Sequence, residues 1–135
     1  MTEKLFKDCI CLCLFQTQVF FSALKTSQSV LPDSVVTFDR CNANMCEGMD
    51  ARTGEFTTPV TGIYSFTFTG FMDDVSNDVL EVFVLKNSAE QQKIFNTGSL
   101  MLQLMQGDVI SLKTTAESSG TWSMSFTGQS LKVDG

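Results

Sequence analysis

The residues of this chain whose types and spacing could do chemistry are five cysteines and one acidic run, and no histidine accompanies them. Cys9, Cys11 and Cys13 form a C-x-C-x-C run, and Cys41 and Cys46 a C-x4-C pair. Thiolate zinc centres favour C-x2-C spacing, which neither group has. Three readings of the cysteines stand: a structural zinc site, a Cys41–Cys46 disulfide whose geometry two loop cysteines can meet, and small buried thiols, the plainest of the three. Because the number is odd, one thiol stays free or bridges to another chain. The acidic run is Asp73-Asp74-x3-Asp78, with Glu81 close behind. Oxygens gathered there would suit calcium, which takes about six to eight oxygen ligands. The spacing matches no EF-hand loop, and a solvated charged loop is the plainer reading.

The absent imidazole excludes much. No Ser-His-Asp or Cys-His centre can be built, nor the usual catalytic zinc site, nor an imidazole switch near neutrality. Carboxylates and lysines remain for acid–base work, but no enzyme is expected. The net charge is −6, and the Lys+Arg count is only 9. Nucleic-acid binding by counterion release needs clustered bases, so no nucleic-acid partner is expected. A cationic ligand or calcium suits the balance better.

The elements that must position these residues read as strands. The 135 residues make one domain, with 43% hydrophobic and 18% charged residues, a globular composition. Apolar residues repeat every second position over most of the chain. In the run 62–71, Tyr64, Phe66 and Phe68 alternate with Ser65, Thr67 and Thr69, which puts the rings on one buried face. Runs at 79–86, 99–105, 108–114 and 121–127 follow, separated by turn residues such as Thr53-Gly54, Asn96-Thr97-Gly98 and Ser118-Ser119-Gly120. The run 79–86 is apolar on both faces and is expected to be covered on both, by a second sheet and a neighbouring subunit. Gly62 is expected in a conformation that a Cβ would oppose. Two loops are candidate binding sites: residues 42–52, with Cys46, Glu47, Asp50 and Arg52, and the hydroxyl-rich residues 114–121, which could contact sugars or simply turn.

Residues 1–15 read as an N-terminal extension, a weak signal or partial strand, and 16–135 as the domain. Lys4 and Lys7 precede a short apolar run at 9–15, but Glu3, Asp8 and the lack of an A-x-A-like site argue against a cleaved signal. That run is far shorter than the roughly 20 residues of a membrane span, so no span is expected.

The segment from Phe38 to Phe68 resembles the signature of the complement C1q globular head family, F-x5-[ND]-x4-[aromatic or Leu]-x6-F-x5-G-x-Y-x-F-x-aromatic. Phe38, Asn44, Phe56, Gly62, Tyr64, Phe66 and Phe68 hold its spacing, and Met49 replaces an aromatic or Leu. The likeness extends over residues 18–131: residues 19–23 resemble the opening strand, 84–87 the middle strand, 100–112 the late hairpin and 125–128 the closing segment, where Gln129 follows in place of an apolar residue. The resemblance implies an all-β, ten-stranded antiparallel jelly-roll sandwich, related to tumour necrosis factor, that assembles as a compact homotrimer. It implies a secreted, non-enzymatic recognition module for microbial, glycan, lipid or altered-self surfaces in innate immunity. The alternative is a secreted ligand or organiser for a cell-surface receptor, cerebellin-like or cytokine-like. Some related heads bind calcium, which adds to the reading of Asp73, Asp74 and Asp78. The family's collagen stalk has no counterpart, since the chain contains no G-X-Y repeat.

Overall fold

The structure, a computed structural model, describes residues 18–72 and 78–133. The alternating runs form ten strands among these residues and no helix. They are β1 (Phe20–Ser29), β2 (Arg40–Met45), β3 (Met49–Asp50), β4 (Glu55–Thr57), β5 (Gly62–Met72), β6 (Glu81–Lys86), β7 (Ala89–Phe95), β8 (Thr97–Leu104), β9 (Val109–Thr114) and β10 (Thr121–Val133). One sheet runs β2-β1-β10-β5-β8 and the other β3-β4-β9-β6-β7. Every pairing is antiparallel, and the two inner faces close into the expected jelly-roll sandwich.

The core follows from the alternation. Tyr64, Phe66 and Phe68 on β5 are fully buried, as are Phe126 on β10 and Val82 and Val84 on β6. Phe66 lies 5.9 Å from Phe56 of the opposite sheet and 5.8 Å from Phe126, ring centroid to centroid. Met49 is buried in the same cluster, so a flexible thioether fills the slot where the signature has an aromatic or Leu. Gln129 faces solvent, and β10 continues past it: the Val19 N–H donates to the buried Ser130 Oγ at 2.7 Å.

Three expectations change. The late hairpin is not one, because β8 and β9 belong to different sheets. The turn between them, with Asp108 N–H donating to Met105 O at 2.9 Å, carries the chain across the sandwich. Gly62 has no positive φ; it is ordinary strand backbone paired with Leu104 and Val133. Residues 42–52 are not an open loop, since β2 and β3 occupy most of them. On the run 79–86, Val79 and Phe83 stay half-exposed on the face turned from the core. Val82 and Val84 face the core, Leu85 is 8% exposed, and Lys93 Nζ sits 5.4 Å from the centre of the Phe83 ring. The tight β6–β7 hairpin turns on Asn87 and Ser88, both at positive φ, as a two-residue turn of mirror-image type requires.

Candidate functional site

The signature residues do structural work. Phe38, Phe56, Tyr64, Phe66 and Phe68 are core side chains. Tyr64 Oη donates to Val60 O at 2.5 Å, and burial pushes its hydroxyl pKa up to about 12, so it stays neutral. Asn44 closes the turn after β2: its Nδ2 donates to Met49 O at 2.8 Å, and its Oδ1 accepts from Met49 N–H at 3.1 Å.

The acidic run does not assemble a metal centre from the described side chains. Asp73 and Asp74 lie outside the described residues. Asp78 accepts from Ser119 Oγ at 3.4 Å, and Glu81 accepts from Thr115 Oγ1 at 2.9 Å, at the start of the 115–118 turn. No group of three His, Cys, Asp or Glu side chains among the described residues is placed to hold a metal.

Cys9, Cys11 and Cys13 also lie outside the described residues. Cys46 is in a disulfide and Cys41 is a thiol, so the Cys41–Cys46 pairing is not formed. Burial raises the Cys41 pKa, and its Sγ donates to Ala43 O at 3.0 Å, both of which disfavour the reactive thiolate. The hydroxyls of Thr114, Thr115, Ser118 and Ser119 are engaged within the fold. Thr114 Oγ1 donates to Leu31 O at 2.6 Å, and Ser118 Oγ donates to Glu81 O at 2.7 Å. This loop therefore braces β6 and the 30–37 segment.

What the structure does present is apolar surface on the outer face of the β2-β1-β10-β5-β8 sheet. One cross-strand row runs Met45, Phe20, Gln129, Ser65, Met101 through all five strands. Met45 is 44% exposed and Met101 67%. Ile63 and Leu131 are exposed beside that row. Phe95 at the end of β7 and Met105 after β8 are exposed apolar groups at opposite ends of β8. The sequence hides this surface because its members come from six separate segments and alternate with Ser, Thr and Gln. A cleft of about 270 Å³ opens elsewhere, between β1 and the 30–37 segment.

The charged groups with resolved chemistry hold turns. Asp108 Oδ2 accepts from Met105 N–H at 2.8 Å, Oδ1 accepts from Asn87 Nδ2 at 3.0 Å, and Lys86 Nζ stands 3.9 Å away. These contacts, the Met105 bond foremost, keep the Asp108 carboxyl below the usual aspartate range. Asp39 is lowered likewise by the Thr26 hydroxyl and N–H. A carboxylate depressed in the fold stabilises it above the unfolded pKa, about 3.9, and that contribution is lost as pH falls through the folded value. Urea unfolding at a series of acid pH values should show stability dropping below about pH 4, with a flatter drop in Asp108→Asn. An identical profile in the variant would remove Asp108 from the acid response.

The sequence matches the C1q domain family over residues 19–131. It is 30% identical over 113 residues to a complement C1q subcomponent polypeptide of Mus musculus, an alignment covering 76% of this chain and 45% of that protein. The chain thus spans about half the length of the curated relatives it matches. Among solved structures, the globular domain of zebrafish complement 1qA superposes with a TM-score of 0.68 at 19% identity, covering 86% of this chain and 99% of that one. Murine APRIL gives 0.55 at 15% identity, covering 83% and 98%; at these identities the likeness is one of fold. With its ten-stranded sandwich, its signature residues in the core and a match over nearly all of the described residues, the chain belongs to the C1q domain family, whose members are non-enzymatic recognition modules.

Proposed function

We propose that this chain acts as a secreted homotrimer that recognises microbial, glycan or altered-self surfaces in innate immunity. The observation that carries the trimer is exposed apolar surface in unlike places: the Met45–Phe20–Met101 row on the sheet face, and Phe95 and Met105 at the two ends of β8. A ring of identical chains needs two different patches on each copy, one meeting the other on its neighbour. Exposed apolar groups of this number on a small domain favour burial in such an interface. The Cys46 disulfide supports an oxidising, extracellular setting. Three copies fixed together would turn weak single contacts into firm capture of a repetitive surface.

Sedimentation equilibrium at micromolar concentration should give three times the chain mass of 14.9 kDa. Met101→Glu should return it to one, and an array of glycans and lipopolysaccharides should retain the trimer but not the variant. A native mass near 14.9 kDa would overturn the trimer. A blank array with saturable binding to a single cell-surface receptor would replace surface recognition with the receptor-ligand reading.

A further inference from the structure

We infer that the cleft between β1 and the 30–37 segment is a subsite for an acidic sugar, a hexuronate, with Lys25 as the anchor for its carboxylate. The cleft exists because two segments part company. The register of β1 on β10 slips between Lys25 and Gln28, so the end of β1 is irregular. The chain then leaves for the other sheet, where Val35 bridges to Lys113 and Val36 N–H donates to Leu112 O at 2.8 Å. The space between them is about 270 Å³, lined by Lys25, Ser29, Leu31, Ser34, Val35 and Met124 among others. It falls just below the roughly 300–1,000 Å³ of drug-sized pockets and suits a single sugar ring.

Lys25 is the unusual member. It continues the inward row of Phe21 and Ala23, both buried, and is itself half-buried at the end of that row. Among the described residues it forms no ion pair. Its Nζ donates to Thr37 O at 3.0 Å and to Thr37 Oγ1 at 3.3 Å, which fixes the ammonium and leaves one of its three donors unused. The acid closest in sequence on the facing segment, Asp39, is held elsewhere. Its Oδ2 accepts from Thr26 N–H at 2.5 Å and from the Thr26 hydroxyl, and its Oδ1 accepts from Gln28 Nε2 at 3.5 Å. Asp39 thus stays within Coulombic reach of the Lys25 ammonium, but its oxygens are taken by Thr26 and Gln28 and no ion pair closes on Lys25.

The rest of the lining describes the remainder of the ligand. Ser34 Oγ donates to Pro32 O at 2.9 Å and so can accept from a ligand hydroxyl, and the Ser29 hydroxyl stands at the rim. Leu31, 68% exposed, and Val35, 51% exposed, offer an apolar strip for the C–H face of a ring. Carboxylate, hydroxyls and one apolar face together are the chemistry of a uronic acid. The net charge of −6 gives no long-range pull on an anion, so recognition rests on these local contacts and is weak per chain. The subsite deepens the surface-recognition reading and rests on it, since only a multivalent module makes use of such weak contacts.

Titration of the ¹⁵N-labelled full chain with methyl β-D-glucuronide, methyl β-D-glucoside and acetate, read by amide chemical shifts, tests it. The glucuronide should give saturable shifts confined to residues 25–37 and their neighbours Thr114 and Met124, with the glucoside and acetate at least tenfold weaker. Lys25→Gln should abolish the response, and Val35→Glu, which leaves the Thr37 contacts alone, should do the same by setting a like charge at the rim. Lys93→Gln, on β7, should change nothing. Absent shifts, equal shifts for the three probes, or an unaltered response in folded Lys25→Gln and Val35→Glu would each overturn the subsite. Retained array capture alongside any of these would leave the broader reading standing, whereas a blank array beside glucuronide shifts would overturn only that reading.

Discussion

Phe66→Ala is expected to lower the unfolding free energy by about 3–5 kcal/mol, a large share of what a domain of this size has. Phe66 is fully buried at the middle of β5 and faces four other rings: Phe21 at 6.2 Å, Phe56 at 5.9 Å, Tyr64 at 6.3 Å and Phe126 at 5.8 Å. Those rings come from β1, β4, β5 and β10, so the site joins both sheets. Truncation removes the transfer energy of the ring and leaves a void that long strands, paired on both sides, cannot collapse to fill. Phe71, on the same strand but 57% exposed, supplies the control: Phe71→Ala should stay within about 0.5 kcal/mol. Urea unfolding followed by the fluorescence of Trp122, the single tryptophan and only 2% exposed, reads both variants at one fixed chain concentration. Comparable losses in the two would mean that the aromatic cluster is not what holds the sandwich together.

That contrast between Phe66 and Phe71 is legible in the sequence alone. Alternation along β5 assigns Tyr64, Phe66 and Phe68 to one face and Ile63 and Phe71 to the other, because side chains in a strand alternate by geometry alone. The spacing from Phe38 to Phe68 likewise carries the family and the sandwich. Asn44 shows where such spacing stops being informative. Its position in the signature is plain, but the two bonds that tie it to Met49 are not, since they depend on how the chain turns after β2. Which strands share a sheet is also hidden. The turn at Gln106-Gly107 looks the same in sequence whether it returns a hairpin or crosses the sandwich. The candidate sites fare worse for a related reason. Hydroxyls at 114–121 signal a binding loop, yet Thr114 and Ser118 bond inward to segments more than thirty residues away. Lys25, meanwhile, gives no local signal, because its place is set by Thr37 and its lack of an ion pair by the engagement of Asp39 with Thr26. Local pattern reports the face a residue takes; it does not report the partner that meets it there.

Gly54→Ala is expected to cost above about 4 kcal/mol, or to prevent folding, a severity reached by few single changes. Two effects act at once. Gly54 has φ +76°, a region in which a residue with a Cβ is strained by about 1–3 kcal/mol. An added Cβ would also stand 1.9 Å from the backbone oxygen of Val36. That oxygen cannot swing away cheaply, because the Val36 N–H is bonded to Leu112 O at 2.8 Å and the Phe38 N–H to Ala51 O at 2.8 Å. Gly54 itself donates to Asp50 O at 2.8 Å, so the turn between β3 and β4 is held from its other side too. Gly107 separates the two effects. Its φ is +94°, yet nothing lies within 4 Å of where its Cβ would be, so Gly107→Ala should show the strain alone, about 1–3 kcal/mol. The difference between the variants, measured by urea unfolding with near-ultraviolet circular dichroism as a check on native packing, is then the steric cost of the Gly54–Val36 approach. Equal losses would show that the 36–38 segment yields, and the rigid seating of the 30–37 segment that keeps the Lys25 cleft open would fall with that result.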